Sequence, residues 1–159
     1  MNRYISHVYV IPEDRANVQI ANGFIDHHSV DERRIKVMPE AGGWLNVLDT
    51  FREEYVQILK SNLEAHVVMV VDFDNDEQRR TKFENAIPEE FKNRVFVIGS
   101  KENPEALKKE LKASFEEIGK SLAKECENGE ADNWNHPHLQ HNDVERRRLV
   151  NVVKPFLIK

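Results

Sequence analysis

Residues 66–76, His-Val-Val-Met-Val-Val-Asp-Phe-Asp-Asn-Asp, constrain this chain more than any other stretch. A short, valine-rich apolar run suits a strand buried on both faces, as found in parallel sheets covered by helices. The run stops abruptly at Asp72, and Asp74 and Asp76 follow at alternating positions. In open α/β sheets ligands bind outside the carboxyl ends of the strands, which is where this run stops. On an extended backbone side chains two apart point the same way, so Asp72 and Asp74 are expected to converge. Two carboxylates held together repel unless a proton or cation lies between them. A hard, oxygen-preferring divalent ion such as Mg²⁺ is the natural neutraliser.

The surrounding sequence alternates β-prone and helix-periodic segments. Strands are expected at 6–11, 34–38, 66–72 and 94–98. Helices are expected at 15–25, 44–63 and 76–86. A further helix starts at Pro104 with the apolar stripe Leu107, Leu111, Phe115, Ile118 and Leu122, and a last one runs from Asp143 until Pro155 ends it. Residues 127–142 read as a loop. Alternation of this kind predicts an α/β fold: a mostly parallel four-stranded sheet flanked by helices on both faces. We read residues 1–159 as one domain, with 127–159 a loop plus a C-terminal helix extension.

The 159 residues suffice for one hydrophobic core. A net charge of −5 argues against a chain that is basic throughout, while leaving room for a local basic patch. The single cysteine, Cys126, excludes an internal disulfide and a cysteine-only zinc site. No stretch has a signal-peptide layout or the roughly 18 apolar residues of a membrane span, so a cytoplasmic location is expected.

An acid after the first strand, Glu13, together with Asp72-Phe73-Asp74 after a central strand, resembles the Toprim domain. That family occurs in topoisomerases, primases, small ribonuclease-maturation enzymes and OLD-family nucleases, and the resemblance covers roughly residues 6–105. Family members usually follow the glutamate with glycine. Here Asp14 takes that place and Pro12 precedes the acid, so the likeness is to a divergent member. The resemblance implies a Mg²⁺- or Mn²⁺-dependent nuclease in which Glu13, Asp72 and Asp74 hold metal and act in catalysis. It also implies a further acid, Glu102 or Glu105, at a second ion, and Lys101 stabilising the developing charge. A shared ion requires the carboxyl groups of Glu13, Asp72 and Asp74 to lie within about 5 Å of one another. The implied partners are DNA or RNA and another protein. Small stand-alone members belong to microbial defence or mobile-element systems beside an ATPase. This chain has no Walker motif, so any ATPase would be a separate polypeptide.

Other features have both a functional and a plainer reading. Arg79 and Arg80 follow the acids closely and are candidates for holding a substrate phosphate, or form a solvated helix face. Gly42 and Gly43, before a strong helix, are candidates for a phosphate cradle, or make a tight turn. His136, His138 and His141 meet no standard zinc spacing and read as a surface loop. His27-His28 reads as helix-end polarity, and Arg146-Arg147-Arg148 as a solvated or acid-paired face.

Two alternatives remain open. One is a catalytically inactive module on the same fold that binds a partner protein. The other is a receiver-like domain with Asp72 as phospho-acceptor, for which a convincing late-strand lysine is missing. The stripe from Leu107 to Leu122 also leaves a homo-oligomer open.

Overall fold

The computed structural model describes residues 3–159. Four strands, β1 (His7–Pro12), β2 (Ile35–Val37), β3 (Ala65–Val70) and β4 (Val95–Ile98), form one all-parallel sheet in the order β2-β1-β3-β4. This is the α/β architecture expected from the sequence. Every residue of β3 is buried, and its side chains alternate between two cores. Val67 and Met69 pack with Ile11, Phe51, Phe83 and Phe91 on one face. Val68 and Val70 pack with Val8, Val10, Phe96, Ala123 and Leu157 on the other.

Among the described residues eight α-helices surround the sheet. Helix α1 (Arg15–Asp26) begins at Asp14, whose side chain accepts the Asn17 N–H. Helix α4 (Glu77–Ala86) is capped in the same way by Asp76. Such caps satisfy backbone donors that have no partner inside the helix.

Three expected helices differ in detail. The segment 44–63 divides into α2 (Trp44–Thr50), a π-helical turn (Phe51–Tyr55) and α3 (Val56–Ser61), with Phe51 and Tyr55 both buried. The stripe from Leu107 to Leu122 is shared by α5 (Pro104–Leu111) and α6 (Phe115–Asn128). Lys112 is left-handed at φ 52°, and a Ser114–Glu117 capping box restarts the helix. Pro155 does not end the helical region. Helix α7 (Asp143–Val152) stops before it, and Pro155 lies in the first turn of α8 (Lys154–Leu157).

Helices α1 and α6 cross with their backbones in contact. A Cβ on Gly23 would lie 2.0 Å from the Glu116 carbonyl oxygen, and one on Gly119 would lie 1.8 Å from that of Ile20. At this crossing only glycine fits.

The outer edge of β4 is covered by side chains. Glu145 accepts the Val97 N–H at 2.8 Å, Arg80 donates to the Val97 carbonyl at 2.9 Å, and Arg148 donates to that of Val95 at 3.3 Å. Asn142 bonds both the N–H and the carbonyl of Gly99, at 3.2 and 2.8 Å. No helix among the described residues is long and apolar enough to cross a membrane.

Candidate functional site

The acids gather where β1 and β3, neighbours in the sheet, both end. Glu13 follows β1 directly, and its backbone N–H donates to the Val70 carbonyl at 2.9 Å. Its carboxylate accepts the Asp72 N–H at 2.5 Å. Glu13 and Asp72 are each only 8% exposed. Asp14, the cap of α1, brings its carboxyl group within hydrogen-bonding reach of that of Asp72. Asn17, one turn into α1, donates its side-chain amide to Asp72 Oδ1 at 3.0 Å.

Burial dominates the electrostatics of this cluster. Desolvation raises the Asp72 pKa to about 8; the Asn17 amide opposes the shift, while Asp14 and Glu13 reinforce it. Burial also raises that of Glu13, opposed by the hydrogen bond from the Asp72 N–H. Two carboxyl groups as close as Asp14 and Asp72 need a shared proton or a cation.

Asp74 stands apart from them, although its charge still reinforces the raised pKa of Glu13. β3 ends at Val70. The chain continues alongside the segment after β4, with Val71 N–H bonded to the Ile98 carbonyl and Phe73 N–H to that of Ser100. It then turns left-handed at Asp74 (φ 47°) and Asn75 (φ 59°). Side-chain alternation holds only while the backbone stays extended, so the expected convergence of Asp72 with Asp74 is lost at this turn. Asp74 instead pairs with Arg79, whose guanidinium also donates to the Asp72 carbonyl, each at 2.9 Å.

Arg79 lies over the Trp44 ring at 4.9 Å, and its Nε–H is buried with no partner among the described residues. Arg80 is committed to structure: besides Val97 it donates to Asn142 Oδ1 at 3.0 Å and stacks over Phe73 at 4.6 Å. It is therefore not free to receive a phosphate. Nor are the Gly42 and Gly43 amides, which donate to the Glu13 carbonyl at 2.9 and 3.2 Å. This pair is a turn that fixes Glu13 against the start of α2.

Lys101 is exposed, and its backbone carbonyl accepts the Asn75 N–H at 2.8 Å, which sets it beside the acidic loop. Glu102 accepts the Asp74 N–H through its backbone, while its carboxylate faces His138 at 3.8 Å. Glu105 is exposed in the first turn of α5. Of the histidines of the 127–142 segment, His136 and His138 lie together with ring centroids 5.2 Å apart, and His141 is engaged elsewhere. His138 pairs with Glu110, whereas His141 bonds the Gly99 carbonyl at 2.9 Å and lies 3.3 Å from Arg80. Burial lowers the His141 pKa to about 4, with Arg80 adding to the shift.

Among the described residues, only His27, His28 and Glu127 bring three potential metal-ligating atoms within 4.8 Å of one another. The carboxylates of Glu13, Asp14, Asp72 and Asp74 thus do not form a closed three-acid cage. Their donor chemistry nonetheless fits a hard divalent cation, because all of it is oxygen.

Sequence reasoning noted Asp14 only as a departure from the family pattern and passed over Asn17. Asp14 adjoins Glu13 in the chain, and a helix starting there places position 17 over the same rim. Comparison with known protein families, with curated proteins and with solved structures finds no match.

Proposed function

We propose that this protein is a divalent-cation-dependent phosphodiester-cleaving domain of Toprim type acting on DNA or RNA. The observation carrying this reading is the meeting of Glu13 and Asp72, buried and locked together at the ends of adjacent parallel strands with Asp14 beside them. Glu13, Asp14 and Asp72 would hold the cation, which supplies Lewis-acid activation of a phosphodiester and of the attacking water. Arg79, paired with Asp74 beside the acids, is the residue suited to a phosphate oxygen that displaces Asp74. Asn17 orients the Asp72 carboxylate, and Lys101 stands beside the loop where charge would develop. Such small domains, by their resemblance, suit a defence or mobile-element system with a separate protein partner.

A second reading is a non-catalytic module that binds cation or partner alone. The Asp74–Arg79 ion pair favours it, since it withdraws one acid of the Asp-x-Asp pair from the cluster. Cleavage of plasmid DNA and of labelled RNA in Mn²⁺, lost in both Glu13→Ala and Asp72→Ala, is the expected result for a nuclease. A metal-induced rise in melting temperature without cleavage selects the binding module. A melting temperature indifferent to Mg²⁺ and Mn²⁺ sinks the nuclease and the cation-binding module, leaving only a module that binds a protein partner.

A further inference from the structure

Helix α1 separates two clusters. Its first turn carries the acids described above. Its far end, about 18 Å away for 12 residues at 1.5 Å each, carries His27 and His28. Glu127, in the last turn of α6, meets them there. His27 is buried and hydrogen-bonded through Nε2 to the Glu127 carboxylate. His28 is exposed, and its ring centroid lies 4.6 Å from that of His27. Ligating atoms of all three residues fall within 4.8 Å of one another.

We propose that His27, His28 and Glu127 form a binding site for a borderline transition-metal ion, Zn²⁺ being the best fit, where the C-terminal ends of α1 and α6 come together. Two imidazoles and one carboxylate are a donor set that zinc accepts readily and that leaves a fourth position open. Mg²⁺ and Ca²⁺ prefer all-oxygen surroundings and are disfavoured here.

The helices add to the attraction. Their C-terminal ends carry partial negative charge, and neither α1 nor α6 has a basic residue in its last turn to offset it. Lys154 of α8 donates to the Glu127 backbone carbonyl at 3.3 Å rather than to its carboxylate. Ser29 and His27 hydrogen-bond the Glu127 carboxylate and hold it in place. The glycine crossing of α1 on α6 fixes the separation of the two helix ends. Exposure of His28 provides a path from solvent.

Titration of the full chain with Zn²⁺ by calorimetry is the test, with Co²⁺ absorption reporting the ligand set. Expected results are one ion per chain, a raised melting temperature, and affinity weakened about tenfold or more in His28→Ala and Glu127→Gln. His28 lies outside the core, so its replacement leaves the fold intact. Asp72→Asn and His138→Ala should bind Zn²⁺ as the wild type does. Unchanged affinity in His28→Ala and Glu127→Gln, or loss of binding in His138→Ala, would overturn the site and reduce the His27–Glu127 contact to a tie between helices.

Discussion

The Asn17 side-chain amide donates to the Asp72 carboxylate across 55 positions of sequence, which ties the start of α1 to the loop after β3. The bond is buried, so Asn17→Ala leaves Asp72 Oδ1 without its donor. Loss of such a partner costs about 1–3 kcal/mol. Urea denaturation should show a drop of that size, and the melting-temperature rise on adding Mg²⁺ should shrink relative to the wild type. Unchanged values on both counts would make the contact incidental.

Asp72 also makes stability depend on pH. Its folded-state pKa of about 8 lies above the unfolded value of 3.8. Between these the native state keeps a proton that the unfolded chain has lost. Its contribution is therefore fully present below about pH 4 and is lost as pH rises through about 8. The difference in stability between wild type and Asp72→Asn should move against the wild type over that window. Cation binding displaces the proton, so Mg²⁺ should stabilise the wild type more at pH 8 than at pH 5.5. A difference between the two proteins that stays flat from pH 4 to 8 would contradict the buried protonated acid.

Arg80 is a structural guanidinium. Replacing it with methionine keeps an unbranched apolar side chain and removes the guanidinium over Phe73 with its donors to Val97 and Asn142. Hydrogen bonds to charged groups contribute about 1.5–3 kcal/mol, and denaturation of Arg80→Met should show a loss near 3. A variant that keeps its stability and loses only nucleic-acid affinity would restore Arg80 to a phosphate role.

His141 sets an acid limit. Its folded-state pKa of about 4 lies below the ordinary histidine value of 6.5. The neutral ring therefore contributes stability present above about pH 6.5 and lost as pH falls toward 4. In His141→Gln the melting temperature should be less sensitive to pH across this range than in the wild type. Equal sensitivity would show that His141 does not titrate there.

Gly119→Ala places a methyl group against the Ile20 carbonyl. Overpacking typically costs about 1–3 kcal/mol, and because backbone rather than a flexible side chain must yield, the upper end is expected from thermal unfolding. A neutral result would mean that α1 and α6 separate easily.

Much of this was legible in the sequence because buried parallel strands carry strong local signals. The run 66–71 announced β3, and Pro104 marked the start of α5. The break at Lys112 was carried by backbone handedness, which an unbroken apolar stripe conceals, although Ser114 with Glu117 spelled out a capping box. At the acidic rim Glu13 and Asp72 were readable as strand-end residues. The withdrawal of Asp74 depended on a left-handed turn that neither Asp74 nor Asn75 advertises as glycine would. The partnership of His27 with Glu127 spans 100 positions, and no local pattern encodes it.

The side chains along β4 carry one more consequence. Unsatisfied strand margins invite pairing with another chain. Here Glu145, Arg80 and Arg148 occupy the groups that a foreign strand would use. Helices α4 and α7 thus work together as a selvage on this margin of the sheet, and any strand added beside β4 would have to unpick three charged residues before the first new stitch.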